Sequence, residues 1–303
     1  MLEFHELTLN DLEWARAALR ASDFMGCEYS FANNLAWRRL YHTTVAFYNG
    51  FFINKAEIDG VPHFTYPAGE GDTDSMLRAL MDYANGQGYP LILTGVTKPL
   101  LTQIQSLFPD TFDVLHTEDS DDYIYYASDL ASLGGRAYHQ KRNHLHRFEK
   151  YGGIYAPLEE KDFDDCITLS AVTYNTKNGQ SDESSRVEQF VIHTLFSHFH
   201  ELGLNGGTIR VDGQLVAFCI GEQINSNTLN VHIEKADTSF DGSFAAINNM
   251  YAKHAAGDLP YINREEDMGL EGLRKAKRSY RPAFMLEKHM LTQRGFAAAK
   301  QED

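Results

Sequence analysis

Two stretches of this chain carry the same order of strands and turns, and that repetition restricts the fold more than any single motif. In TTVAFYNGFFINKAEIDGVPHFTYP (43–67), three short β-prone runs are separated by Asn49-Gly50 and Asp59-Gly60. Both pairs favour the left-handed turns that close two-residue hairpins. In GGTIRVDGQLVAFCIGEQINSNTLNVHIEKAD (206–237), three longer runs follow one another, and Asp212-Gly213 turns the first pair. Each meander leads into a helical pattern: DTDSMLRALMDYANGQG (72–88), with Asp72 or Thr73 as cap and a glycine stop, and SFAAINNMYAKHAAGD (243–258). A short strand comes next in both halves, PLILTGV (90–96) and YINRE (261–265), and then another helix, which in the second half is LEGLRKAKRSY (270–280). Helical patterns also precede the meanders, at 9–22 in the first half and at 152–176 (after a strand) and 183–203 in the second. DDYIYYASDL (121–130) and AFMLEKHML (283–291) read as further strands. The order predicts an α/β fold with mixed (α+β) sheets and helices on their faces, in two similar domains, residues 1–130 and 131–303.

The bulk numbers fit that reading. A chain of 303 residues with 12% aromatics can build two cores. No apolar run approaches the roughly 20 residues that cross a bilayer. The start, MLEFHELTLNDLEWA, lacks the basic and apolar regions of a signal peptide. A cytoplasmic protein without stable membrane insertion is expected. Cys27, Cys166 and Cys219 are odd in number and far apart, as reduced, buried thiols would be. A net charge of -15 argues against general adhesion to nucleic acid or anionic membrane, but not against a local basic site.

Charge gathers in two segments. RAYHQKRNHLHRFEKYGG (136–153) has an apolar side marked by Tyr138, Leu145 and Phe148. His139, Asn143, His146 and Lys150 follow one another along another side, with Lys141 and Arg142 nearby. This is either a phosphate- or carboxylate-binding helix or a solvated one. His139 and His146 share a face, but His144 points elsewhere and no acidic partner sits at ligand spacing, so no metal site is expected.

The second segment is YINREEDMGLEGLRKAKRSYRP (261–282). A strand runs into Arg264-Glu265-Glu266-Asp267, Gly269 permits a tight turn, and Arg274, Lys275, Lys277 and Arg278 follow. Ligands of open α/β sheets gather at the carboxyl ends of strands. Acyl transfer needs a base for the attacking group and donors for the developing oxyanion. Glu265, Glu266 and Asp267 are candidate bases or anchors for an ammonium, and Arg264 can pair with one of them. A helix dipole alone also accounts for acid at the start and base at the end. In TLNVHIEKAD (228–237), Val231 and Ile233 should face one side and His232 and Glu234 the other, into solvent or into a cleft.

The blocks YHQKRNHLHRF, HIEKAD, YINREEDMGLEGLRKAK and SYRP, in that order, resemble a family of bacterial proteins of unassigned function. That family is grouped with the C-terminal domain of phosphatidylglycerol lysyltransferase. The resemblance covers nearly the whole chain and implies two tandem GNAT-like domains, in a clan that includes the Fem-type aminoacyltransferases. It implies transfer of an aminoacyl group from aminoacyl-tRNA, or a related activated small-molecule donor, to an amine or hydroxyl. The site would lie in the second domain, between HIEKAD and NREEDMG, with the first domain shaping an acceptor pocket or serving as a degenerate partner. His232, Glu234, Glu265, Glu266 and Asp267 form the implied catalytic set. His139, Lys141, Arg142, Asn143, Lys235, Arg264, Arg274, Lys275, Arg278 and Tyr280 form the implied binding set. The sequence has no counterpart of the lysyltransferase's membrane-spanning half, which argues against a lipid acceptor.

Acetyltransferases of this fold hold coenzyme A on a loop reading Gln/Arg-x-x-Gly-x-Gly/Ala. In SFDGSFAA (239–246) only Gly242 fits; Ser239 and Phe244 replace the cation and the second small residue. No cofactor is expected, and acetyl-CoA is not the expected donor. The alternative is a non-catalytic module that keeps the fold and binds a small ligand. An enzyme should keep an open groove with a carboxylate aimed into it; a binding relic should fill that groove with side chains.

Overall fold

The computed structural model describes residues 2–175 and 182–296. In chain order the elements are β1 (His5–Glu6), α1 (Leu12–Ser22), α2 (Phe31–Trp37), β2 (Thr44–Tyr48), β3 (Phe51–Ile58), β4 (Val61–Thr65), β5 (Ala68–Gly69), α3 (Thr73–Gly86), β6 (Ile92–Thr97), α4 (Lys98–Leu107) and β7 (Phe112–His116). They continue with β8 (Asp122–Tyr126), α5 (Ala127–Ser132), α6 (His139–Glu149), β9 (Ile154–Pro157), α7 (Phe163–Asn175), α8 (Asp182–Ser197), β10 (Asn205–Val211), β11 (Gln214–Gln223) and β12 (Thr228–Ala236). The last are α9 (Ser243–Ala255), β13 (Tyr261–Asn263), α10 (Glu271–Arg278), β14 (Phe284–Leu286) and β15 (Lys288–Gln293). Thr176, at the end of the first helical stretch expected in the second half, lies outside the described residues.

The chain folds as two compact units, Met1–Asp122 with Leu286–Asp303, and Tyr123–Met285. Each is a mixed α/β unit around one sheet, as the repeated order of elements predicts. The first sheet runs β1-β2-β3-β4-β6-β15-β7, with β5 beside β3; the second runs β14-β8-β13-β12-β11-β10-β9. The turn residues act as expected. Asn49, Gly50, Asp59, Gly60, Asp212 and Gly213 all have positive φ, which the right-handed twist of a two-residue hairpin requires. Phe64, Leu77, Leu80 and Leu93 anchor the first core; Tyr123, Tyr125, Val216 and Ile247 anchor the second.

The domain limits differ from the expected 1–130 and 131–303. β8 belongs to the second sheet, so the change of unit comes at Asp122–Tyr123. AFMLEKHML is two strands in two sheets: β14 pairs with β8, and β15 inserts between β6 and β7 of the first. The first sheet would otherwise leave β6 with an unpaired edge, and exposed edges are a liability.

One feature recurs in both sheets. β4 pairs with β6 in parallel only at Phe64↔Leu93 and Thr65↔Thr94. β12 pairs with β13 in parallel only at Thr228↔Tyr261, Leu229↔Ile262 and Asn230↔Asn263. Beyond those residues the two strands part, and each sheet has an opening at the strands' carboxyl ends. No helix among the described residues is long and apolar enough to cross a membrane. Cys27, Cys166 and Cys219 are buried and form no disulfide.

Candidate functional site

The second unit's opening starts from a β-bulge. On the β11–β12 ladder Gly221 pairs with Val231 and Ile220 with Ile233, leaving His232 as the extra residue. A bulge re-aims a side chain. Gly221 suits the place, because a Cβ there would lie 2.2 Å from the Asn230 carbonyl oxygen. The expected alternation holds for Val231 and Ile233, which are buried, while His232 turns into the opening.

There His232 sits between two carboxylates. Its Nε2 is 3.1 Å from Glu222 Oε1 and its Nδ1 is 3.0 Å from Glu265 Oε1. Asn230 Nδ2 donates to the same Glu265 oxygen at 2.8 Å. Burial alone lowers the pKa of this imidazole, but hydrogen bonds from its ring to the Glu222 and Glu265 carboxylates outweigh it and raise it to about 9. Both ring nitrogens therefore carry protons at neutral pH. With a carboxylate on each ring nitrogen, the cationic form is the favoured one.

Glu234 anchors a second group. Arg264 Nη2 donates to its Oε1 at 2.9 Å and Asn248 Nδ2, from α9, to its Oε2 at 3.2 Å. Arg264 also lies over the rings of Tyr280 and Tyr125, with Cζ 4.9 and 5.8 Å from their centroids. Lys141 reaches the same Tyr280 ring from α6, with Nζ at 3.6 Å. Burial and the neighbouring Arg264 hold its pKa down at about 8.

The members of the acidic triplet are placed differently. The strand ends at Asn263, whose side chain accepts the Glu265 N–H at 2.7 Å, and Glu265 takes the left-handed conformation with φ 57°. That turn sends the Glu265 carboxylate to His232. Glu266 is half-buried. Asp267 is fully buried and accepts from Tyr123 Oη at 2.6 Å, from Arg274 Nε at 2.8 Å and Nη2 at 2.9 Å, and from the Gly269 N–H at 2.9 Å. Arg274 is the main reason its pKa falls to about 2. So Asp267 and Arg274 form a structural clamp, and Arg264 pairs with Glu234, not with the triplet as expected. Lys277 closes the loop from beneath: its Nζ donates to the carbonyls of Arg264 at 2.6 Å, Glu265 at 3.1 Å and Glu266.

The remaining expected residues lie elsewhere. Arg142 donates to the carbonyls of Leu133 and, at 2.7 Å, of Gly135, closing the C-terminus of α5. His139 and Asn143 are exposed and contact each other at 3.3 Å. Lys235 pairs with Glu188 at 2.8 Å. Lys275 and Arg278 are on the exposed side of α10. Glu222, Asn230, Asn248 and Lys277 are absent from the sequence-based set. Asn230 was legible as the i−2 neighbour of His232, and Glu222 as its cross-strand partner once the β11–β12 register is known. Asn248 and Lys277 carry no signal beyond helical spacing.

The N-terminus of α9, where the coenzyme A loop would lie, is packed against α6. A Cβ on Gly242 would meet the His144 carbonyl oxygen at 2.1 Å, and Arg147 pairs with Asp241 at 3.1 Å.

The first unit's opening is filled differently. Tyr29 Oη lies 3.2 Å from the Tyr66 carbonyl oxygen and 3.5 Å from that of Gly95, one on each parting strand. Glu28 lies against Gly95. Behind them Lys288 Nζ is 2.8 Å from Asp122, 3.2 Å from Glu28 and 3.8 Å from Cys27 Sγ. Cys27, Glu28 and Asp122 have metal-ligand spacing, and the lysine ammonium stands among them. A shallow cavity of about 480 Å³ in this unit, lined by Ile104, Phe108, Phe112, Leu291 and Arg294, shares no residue with either opening.

A family model described as phosphatidylglycerol lysyltransferase, C-terminal, matches residues 19–292. A crystal structure of a conserved protein of unknown function from Bacteroides thetaiotaomicron is 36% identical, covers 97% of this chain and 100% of its own, and superposes with a TM-score of 0.90. The structure of L-PGS from Bacillus licheniformis is similar at 13% identity, 94% and 92% coverage and TM-score 0.66. FemX is similar at 10% identity, 95% and 96% coverage and TM-score 0.64. At that identity these two likenesses concern the fold. An uncharacterized protein of Mycoplasmoides gallisepticum is 24% identical over 185 residues, 59% of this chain, and the match spans 58% of that relative's length.

Proposed function

Because the chain belongs to the phosphatidylglycerol lysyltransferase C-terminal family, we propose that it is an acyltransferase working at the opening between β12 and β13. The group moved is aminoacyl, from an aminoacyl ester such as aminoacyl-tRNA, to an amine or hydroxyl. One observation carries this reading: where the two strands part, Asn230, His232, Glu234, Arg264 and Glu265 converge in two polar groups. Such convergence at strand ends is the usual place for a ligand in open sheets.

In this mechanism the acceptor's nitrogen or oxygen attacks the ester carbonyl carbon. The new bond forms as the carbon–oxygen bond to the donor breaks. Glu265 receives the acceptor's proton and passes it to the departing ester oxygen, so protons balance over one cycle. His232 stays charged throughout and keeps Glu265 oriented. Acetyl-CoA is not the donor in this reading, because α6 covers the N-terminus of α9 where a pyrophosphate would bind.

The test is a transfer assay with mixed aminoacyl-tRNA and a panel of amines and hydroxyl compounds, read by mass spectrometry. Wild type should form product and Glu265→Gln should lose at least a hundredfold, since general base catalysis contributes about that much or more. Wild type and Glu265→Gln forming no product, while a small ligand co-purifies, would favour the non-catalytic binding module. That second reading has its own support: His232 is only 3% exposed, so the opening is largely filled by side chains.

A further inference from the structure

Three buried polar atoms at the second opening have no partner in the protein: Arg264 Nη1, Asn248 Oδ1 and Asn230 Oδ1. Asn230 and Asn248 are 0% and 4% exposed. Each such atom carries a desolvation cost, and native proteins hold few of them. Two flank the same carboxylate. Arg264 spends Nη2 on one Glu234 oxygen and Asn248 spends Nδ2 on the other, so Nη1 and Oδ1 are what remain. Turning the Asn248 amide over would set its oxygen against Glu234, so the assignment is fixed by charge. Lys141 adds a second cation. An ammonium has three N–H donors, and the face of Tyr280 is its contact. Lys141 and Arg264 thus place two cations on one ring, 3.6 and 4.9 Å from its centroid, with Glu234 paired to Arg264, and a ligand anion would be attracted to both cations.

We infer that Lys141 and Arg264, over the Tyr280 ring, form a subsite for a negatively charged ligand oxygen, and that Asn248 accepts an N–H from the same ligand. The ligand class is a small molecule with an oxyanion and an amino group two or three bonds apart. The carboxylate of a free α-amino acid has this chemistry, and so does the oxyanion that develops on an aminoacyl ester. Both donors and the acceptor surround Glu234, which adds attraction for the ligand's ammonium. A simple acetyl group offers no N–H and would leave Asn248 unsatisfied. The inference rests on the transfer reading for its place in the opening, but it is tested by binding, without an acceptor.

The full chain is titrated with glycine, glycinamide, acetate and inorganic phosphate, and the Lys141 side-chain nitrogen is followed by NMR across pH. Glycine should bind and move the Lys141 titration to higher pH, because a bound carboxylate favours the ammonium. Acetate and phosphate should bind at least tenfold more weakly. Glycinamide, with the N–H but no charged oxygen, should bind without moving the Lys141 titration and so represents the ester's ground state. Lys141→Met, which keeps the stem on Tyr280, should weaken glycine at least tenfold, and Asn248→Leu should erase the preference for glycine over acetate. Unchanged glycine binding in Lys141→Met overturns the oxyanion subsite. Phosphate binding as tightly as glycine overturns the role of Asn248. Glycine binding lost in Lys141→Met while wild type transfers nothing would keep this inference and overturn the transfer. Transfer with glycine binding indifferent to Lys141 would do the reverse.

Discussion

The two openings use one backbone device and opposite side-chain chemistry. In each unit a parallel pair holds for two or three residues and then parts. In the first unit the ladder between β3 and β4 runs without a shift, and a buried phenol, Tyr29, bridges the two parting strands. The charges behind it are answered from within, by Lys288 among Glu28, Asp122 and Cys27. One atom there lacks a partner, Glu28 Oε1, on a carboxyl whose pKa burial raises. At the second opening a bulge delivers His232, and Asn230 Oδ1, Asn248 Oδ1 and Arg264 Nη1 lack partners. Partnered groups hold a fold together. Unpartnered buried groups cost stability and are retained where something outside the chain satisfies them. On the reading proposed above, the first opening, with a single unpartnered atom, is structural, and the second, with three, is where a ligand would bind.

The sharpest way to break this comparison is Lys288→Ala. It removes the ammonium that stands among Glu28, Asp122 and Cys27 and leaves buried carboxyl groups without that cation. Breaking such a pair costs about 3–5 kcal/mol. Urea denaturation should show a loss of that size, with glycine binding at the second opening unchanged. A stable Lys288→Ala protein that fails to bind would assign ligand chemistry to the wrong unit.

The next effect is in the second opening and depends on pH. The His232 pKa is raised to about 9 in the folded protein, against about 6.5 in the unfolded chain. A raised value contributes stability that is full below pH 6.5 and is lost as pH rises through 9. The loss is on the order of 3 kcal/mol. His232→Gln should lack this decline, and imidazole nitrogen NMR should find wild-type His232 doubly protonated at pH 7.5. A neutral ring at that pH would remove the fixed cation and return His232 to the role of base.

Much of this architecture is legible in the sequence, and the limits have physical causes. The hairpins are readable because Asn-Gly and Asp-Gly need positive φ and dictate the turn locally. The convergence of His232 and Glu265 is half readable, since strand alternation and a strand running into acid are local patterns. Their partners are not. Asp267 looked like a candidate base, yet Arg274 grips it through two nitrogens and holds it away from ligand chemistry. Arg142 looked like a phosphate ligand, yet carbonyls nine and seven residues back claim it. AFMLEKHML has no turn signal, so nothing local reveals that it divides between two sheets. In each case a non-local partner decides, and a single sequence does not display it.

Asp267→Asn gives a smaller effect that separates clamp from site. The amide keeps the shape and loses the charge that Arg274 answers. Arg274 is 27% exposed and can turn to water, so the cost should be about 2 kcal/mol, below the range for fully buried pairs. The folded pKa of about 2 lies below the unfolded value near 3.9. That stability is present above pH 3.9 and is lost as pH falls through 2, so Asp267→Asn should flatten the acid limb of the stability curve. Transfer should fall only as far as the loop loosens. Abolished transfer with full stability would place Asp267 in the chemistry after all.

The smallest stability effect concerns the helices that follow the two openings. α4, after β6, has no basic residue in its last turn, whereas α10, after β13, has Lys275, Lys277 and Arg278 there. Lys277 is used internally, holding the carbonyls of residues 264–266. Lys275 and Arg278 are exposed. A cation in the last turn of a helix contributes about 0.3–1 kcal/mol through the dipole, less in salt. Lys275→Ala should therefore cost no more than about 0.5 kcal/mol. If the activated donor is a nucleic acid ester, the same change should lower the slope of log affinity against log salt by about one, the signature of one lost phosphate contact. A basic residue introduced into the last turn of α4 should leave that slope alone. An unchanged slope in Lys275→Ala and Arg278→Ala would mean that the charge on α10 only complements its dipole, and that the donor meets the second opening without a phosphate grip from this helix.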